Sequence, residues 1–296
     1  MPEKKDLSPE VQKIVVGMQV NELTESVVYH RIAKRVKDQH NREILERIGD
    51  EEARHAKIWE GYTKVKVKPQ KLKILWYSLL SRIFGFTFAL KLMERGEGEA
   101  SLTYRSIAHE IPQAEEIARD EDHHEEQLIA LLDEERLRYV GSMVLGLSDA
   151  LVELSGTLAG LTFALQNTRL IALSGLITGI SATLSMASSE YLSSRSEGSH
   201  DTALKSGLYT GAIYLLTVAF LVLPYLLLPK EGYMAALLIM LGVVILIIVA
   251  FTYYISVAKD VPFLKRFVEM AGISLGVATL SFFIGIVVKK TLGIDI

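Results

Sequence analysis

The sequence predicts an all-α protein in two parts: an N-terminal four-helix bundle over 1–137, then a five-span helical transmembrane domain over 138–296. Three observations lead there. Charge is partitioned, with 49 of the 67 acidic and basic side chains in residues 1–138 and 18 in the 158 that follow. In the first part, apolar residues recur at alternating steps of three and four, the stripe by which helices pack into a bundle. In the second part, five apolar stretches each reach the roughly 20 residues that a helix needs to cross a hydrocarbon core.

The first helix is expected over 9–37, with Val11, Val15, Met18, Glu22, Glu25, Tyr29, Ile32 and Val36 along one seam. Two glutamates thus interrupt an otherwise apolar stripe. A second helix, 38–63, aligns Ile48, Glu52, His55, Trp59 and Tyr62. A third, 72–109, aligns Leu90, Glu94, Glu97, Ser101, Tyr104 and Ala108. The fourth, 113–137, carries "RDEDHHEEQL", a charge run that reads first as a solvated face. Its periodicity separates two overlapping acid-x-x-His pairs. Asp120 and His123 share a stripe with Glu116 and Gln127, which is polar throughout, whereas Glu121 and His124 share theirs with Ile117, Leu128 and Leu131. Glu121 and His124 are therefore the inward pair, and Asp120 and His123 belong to the solvated face.

The two halves of this domain echo each other. Glu22 precedes Tyr29 by seven residues, as Glu97 precedes Tyr104, and each such helix is followed by one bearing Glu-x-x-His, at Glu52/His55 and at Glu121/His124. Carboxylates from two helices with Glu-x-x-His from the other two form the ligand set of a di-iron four-helix bundle. Several unpaired carboxylates on a core seam have no inexpensive structural explanation. The apolar segment 74–93, with Arg82 and Lys91 as its charges, reads either as a marginal sixth span or as part of a third helix whose face packs on a partner subunit or lies on the membrane surface.

Spans are expected at 140–165, 170–192, 206–228, 233–257 and 263–288. An odd number of crossings puts the termini on opposite sides. If the N-terminal domain is cytosolic, the inner side holds Arg136, Arg138, Arg195, Lys205, Lys259, Lys265 and Arg266, against Arg169, Lys230, Lys289 and Lys290 outside, a bias that favours this orientation. Asp149 and Glu153 lie one turn apart in the first span and Glu190 near the end of the second, with no basic residue deep in any span to neutralise them. Such acids line a water-filled ion path or are hydrogen-bonded to neighbouring serines and threonines. Met186, one turn before Glu190, is either packing or a soft ligand on the same side. Glycine pairs at 156/160, 175/179, 207/211 and 272/276 allow close helix contact and dimerisation.

Other classes are disfavoured. The near-neutral net charge of −3, without a basic cluster interleaved with aromatics, gives no support to nucleic-acid binding. No cysteine is present, so any metal must use oxygen, nitrogen or thioether ligands. The start "MPEKKDLSPEVQ" lacks the apolar core of a signal peptide, and no phosphate-binding G-x-x-x-x-G-K-[ST] loop supports ATP-driven pumping.

The stretches "NELTESVVY", "DEEARH", "MERGEGEASLTY" and "DEDHH" resemble the rubrerythrin branch of the ferritin-like superfamily. The resemblance implies a ferritin-like bundle with Glu22, Glu52, Glu97 and Glu121 as carboxylate ligands and His55 and His124 as nitrogen ligands. Glu94 matches the extra glutamate of the rubrerythrin pattern, while Glu25 has no counterpart. The cysteine-bearing rubredoxin-like module of rubrerythrins is absent. In the second part, "VLGLSDALVELSGTLAGL" and "SATLSMASSEYLSSRSE" resemble the vacuolar iron transporter family, with Ser189 where that family often has glycine. This implies a five-span homodimer with its path at the subunit interface, Asp149 and Met186 on that path and Glu190 at its inner mouth. The metal-binding insert that the family often carries after the second span is missing. The whole chain thus resembles fused ferritin-like/iron-transporter proteins of the membrane-bound ferritin type.

The expectation is an integral membrane transporter that exports Fe2+, or Mn2+, from the cytosol by proton exchange at Asp149 or Glu153. Its cytosolic bundle binds iron, with Mn2+ and Zn2+ as compatible ions, and buffers, delivers or oxidises it. The alternative is a membrane-anchored di-iron ferroxidase or peroxide-scavenging enzyme.

Overall fold

The computed structural model describes residues 7–95, 104, 107–130, 139–198, 200–259 and 261–292, and every regular element among them is an α-helix. The chain divides into two compact units, Met1–Glu134 and Glu135–Ile296. The boundary expected at 137/138 lies outside the described residues.

The first unit contains α1 (Pro9–Ala33), α2 (Gln39–Thr63), α3 (Lys71–Ile83), α4 (Phe86–Arg95) and α5 (Gln113–Ala130). Local chemistry sets the helix starts. Ser8 caps α1, accepting from the Val11 amide at 3.3 Å, with Pro9 in the first turn where its missing N–H costs nothing. Asp38 caps α2 through the Asn41 amide at 2.8 Å. α1 packs along α2, α3 against α1 and α4, and α5 against α2 and α4. Val15, Met18, Trp59, Tyr104, Ile107, Ile111 and Ile117 are buried together as a core.

The continuous third helix expected over 72–109 is not what forms. The chain breaks at Gly85, whose φ of 98° is open to a residue without Cβ, and α3 and α4 run separately on either side. Ile83 is 55% exposed while Leu90, one heptad on, is 1% exposed, so the break takes the apolar stripe of α3 off the core seam. It also removes the sixth-span reading of 74–93: pieces of 13 and 10 residues, at 1.5 Å rise, are each too short to cross a bilayer.

The second unit contains α6 (Val140–Leu165), α7 (Thr168–Ser196), α8 (His200–Leu227), α9 (Tyr233–Lys259) and α10 (Phe263–Leu292). Among the described residues, these five helices are long and apolar enough to span a membrane, and the chain is an integral membrane protein. α6 touches all four of the others and supplies Leu147, Leu151, Leu154 and Leu158 to the core, against Tyr214, Val218 and Tyr225 of α8 and Met240 and Val244 of α9. Close approach rests on glycine at several crossings; a Cβ on Gly146 would sit 2.7 Å from the Thr210 carbonyl oxygen. Gly272 and Gly276, by contrast, face open space. α7 and α8 continue beyond the apolar stretches, and Gly198 follows α7 with φ 84°, a conformation open to a residue without Cβ.

Candidate metal centre

The seam of the first unit brings acid and imidazole side chains to one point. Glu22 comes from α1, Glu52 and His55 from α2, and Glu121 and His124 from α5. One ligand atom from each of Glu22, Glu52, His55 and Glu121 lies within 4.8 Å of the others. His55 Nδ1 is 3.5 Å from Glu22 Oε2, 3.8 Å from Glu52 Oε2 and 3.3 Å from Glu121 Oε1. His124 Nδ1 is 3.1 Å from Glu52 Oε1 and 3.6 Å from Glu121 Oε2. Glu52 and Glu121 therefore each turn one oxygen toward each imidazole, and the two rings lie 6.0 Å apart between centroids.

The back of the site holds these groups in place. His55 Nε2–H donates to Asp120 at 3.0 Å, and His124 Nε2–H to Glu51 at 2.6 Å. With Nε2 so engaged, each ring presents Nδ1 to the centre, the arrangement by which an outer carboxylate fixes the tautomer and orientation of a metal-bound histidine. Glu22 Oε1 accepts from Trp59 Nε1–H at 3.1 Å and from the Tyr104 hydroxyl at 2.8 Å, which turns Oε2 inward. The Tyr29 hydroxyl donates to Glu94. The bracing crosses between halves: Asp120 of the second holds His55 of the first and Glu51 of the first holds His124 of the second. Likewise Tyr29 holds Glu94 and Tyr104 holds Glu22.

Inward atoms are left over. Glu22 Oε2, Glu52 Oε2, both Glu121 oxygens and the Nδ1 atoms of both histidines are buried without a hydrogen-bond partner. Orphaned buried groups of this kind are costly unless something binds them. Oxygen and nitrogen donors converging from three helices fit a divalent cation.

The electrostatics agree. Burial opposes the charge on His55, but the carboxylates of Glu121, Glu22 and Glu52 facing its ring hold its proton up to about 12. His124, likewise opposed by burial, is raised by Glu121 and Glu51 to about 9. Burial also pushes Glu22 up, yet Glu52, His55 and Trp59 bring it down to about 2. Burial, with Glu121 and Glu22 as neighbours, keeps the Glu52 carboxyl well above the usual range. Glu94 is raised to about 8 by burial, then by Glu121, with Glu25 adding to it. Protonated imidazoles here supply the positive charge that a cation would supply.

Two placements differ from expectation. Asp120, expected on the solvated face, is 31% exposed, and its Oδ2 accepts from both His55 Nε2 at 3.0 Å and Arg54 Nη2 at 2.7 Å. Glu51, which core periodicity does not single out, accepts from His124. A signal for both exists: the glutamate of each Glu-x-x-His pair is directly preceded by an acid, giving Glu51-Glu52-x-x-His55 and Asp120-Glu121-x-x-His124. His123 is exposed, Glu25 is buried, and Glu97 lies outside the described residues.

In the second unit the acids are spread along α6 and α7. Tyr214 donates to Glu153 at 2.8 Å. Glu190 accepts from Ser142 at 2.7 Å and Ser194 at 3.5 Å, the serine-bonded alternative foreseen for these residues. Asp149 accepts no hydrogen bond among the described residues and is half-buried. Met186 packs against the core of the unit.

Residues 140–203, the segment that includes Asp149, Glu153, Met186 and Glu190, match the VIT family. This similarity, with the five spans, points to a membrane metal-ion transporter. Comparison with curated proteins and with solved structures gives no match.

Proposed function

We propose that the protein exports a divalent metal ion, Fe2+ or Mn2+, from the cytosol in exchange for protons, and that its first unit is a ferritin-like carboxylate bundle that loads the ion. The observation that carries this reading is the set of orphaned inward donors in a chain that also has five spans. In this reading Glu22, Glu52, His55, Glu94, Glu121 and His124 would hold the metal, and the resemblance adds Glu97, which lies outside the described residues. Bound there, redox-active ions would add ferroxidase chemistry, while the chain's own residues select the ion, exclude water and release protons as it enters. The lysine and arginine bias favours a cytosolic first unit with the C-terminus on the far side.

Along the path, Asp149 alternates between proton and metal occupancy, since the same lone pairs serve both. Glu153 and Glu190, held by Tyr214 and Ser142, are fixed flanking acids, and a homodimer encloses the route. An enzyme merely anchored by its spans leaves Asp149 without a role, because an anchor has no use for an acid in lipid.

Flux into proteoliposomes, with Fe2+, Mn2+ and Zn2+ compared with and without a pH gradient, tests the transport claim. Gradient-dependent Fe2+ or Mn2+ flux is expected; its absence for every ion would refute it. Metal content of Glu52→Ala/His124→Ala tests the bundle separately: bound metal should be lost, and unchanged content removes the site.

A further inference from the structure

Residues 61–93 contain seven basic side chains (Lys64, Lys66, Lys68, Lys71, Lys73, Arg82, Lys91) and no acid, within a chain whose net charge is −3. The segment is held in place rather than loose. The Val65 carbonyl accepts from Gln19 Nε2 at 2.9 Å, and the Gln70 amide donates to Thr24 at 3.0 Å, which fastens the lysine-rich connection along α1.

α3 follows directly, and its two faces are inverted relative to a soluble helix. Ile74 and Ser78 are buried against the unit, yet the opposite face is apolar: Leu72 is 84% exposed, Leu75 62%, Trp76 56%, Leu79 45% and Ile83 55%. At 100° per residue these five fall within a sector of about 100°, with Lys71 and Arg82 on one edge and Lys73 on the other. An outward apolar stripe that includes a tryptophan and is flanked by cations is the pattern of a helix lying at a membrane surface.

We propose that α3 is an interfacial helix: its outward stripe seats at the headgroup–acyl boundary of an anionic bilayer while the exposed Lys66, Lys68, Lys71 and Lys73 contact lipid phosphates. The bilayer is at hand because the same chain crosses it five times. A second copy is the other candidate occupant, and charge disfavours it. Two-fold pairing about the stripe would bring Lys71, Lys73 and Arg82 toward their own copies, cation facing cation, whereas anionic headgroups complement them.

Tryptophan content makes the test direct. The chain has two tryptophans, Trp59 fully buried and Trp76 on the stripe. The full-length protein is reconstituted in phosphatidylcholine vesicles with or without phosphatidylglycerol, using acyl chains brominated near the headgroup. In phosphatidylglycerol vesicles bromination should remove roughly half of the tryptophan emission, the share of a residue buried a few ångströms below the headgroups. That loss should vanish in Trp76→Phe and shrink when Lys66, Lys68, Lys71 and Lys73 are changed to Gln. Leu75→Cys, the only thiol in such a chain, gives a second reading through an environment-sensitive label. Emission that bromination leaves unchanged, whether blue-shifted by a protein neighbour or not, overturns the proposal. Equal quenching in both lipid mixtures overturns the recognition of anionic headgroups.

Discussion

Removing the acids behind the histidines tests the candidate centre without touching an inward donor. Glu51 accepts from His124 at 2.6 Å, a short charge-assisted bond, whereas Asp120 accepts from His55 at 3.0 Å and shares its charge with Arg54 at 2.7 Å. Loss of such an outer partner typically costs about 10- to 100-fold in metal affinity, or roughly 1.4 to 2.7 kcal/mol. Glu51→Ala should fall at the larger end, because His124 loses its anchor and a carboxylate that, among the described residues, pairs with no lysine or arginine. Asp120→Ala should fall near the smaller end, because Arg54 already draws off part of that charge. Glu51→Gln, which keeps an acceptor but not the charge, should lie between parent and Glu51→Ala. Competition between the full-length detergent-solubilised protein and a chromophoric chelator for Mn2+ or Co2+ measures this, with thermal melts confirming folding. Glu51→Ala within twofold of the parent, while Glu52→Ala abolishes binding, would refute the orienting role.

Metal affinity should rise with pH, since His124, Glu94 and His55 hold protons up to about 9, 8 and 12 and a cation must displace them. Between pH 7 and 9 the gain should approach about tenfold per pH unit for each proton released, falling off above the pKa of each group in turn; a flat chelator-competition profile would contradict it. Asp149→Asn should abolish metal flux in proteoliposomes while leaving metal bound to the first unit, and parental flux would take Asp149 off the path. Gly146→Ala should lower the melting temperature of the detergent-solubilised protein, because overpacking against the Thr210 carbonyl costs about 1–3 kcal/mol. Gly272→Ala, whose added Cβ meets open space, should match the parent.

What the sequence shows of the site follows from helical periodicity. Glu22, Glu52, His55, Glu121 and His124 recur at core spacing, and the structure brings their side chains together. Periodicity ranks residues by face, however, and Asp120 lies near the border between faces. Its stripe is polar, but at the edge of α5 its carboxylate still reaches His55 on α2, a contact between helices that spacing along one helix cannot reveal. The break at Gly85 escapes for a related reason. Apolar residues run at heptad spacing through Ile83 and Leu90, so the stripe reads as continuous, and only the positive φ of Gly85 separates an outward face from an inward one. The spans are legible because hydrocarbon imposes one coarse rule on length and polarity. The hydrogen bonds to Glu153 and Glu190 come from Tyr214 and Ser142 on other helices, and no local pattern announces them.

The crossed bracing of the first unit bears on how an ion could leave it. Asp120 and Glu51 each grip the other half's histidine, and Tyr29 and Tyr104 each grip the other half's glutamate. Parting the halves would strip all four inward groups of their supports together, so the donor set would slacken as a whole rather than one side chain at a time. Capture and surrender of a cation would then be a single cooperative event of helix pairs, and chelation would loosen both halves of the unit at once.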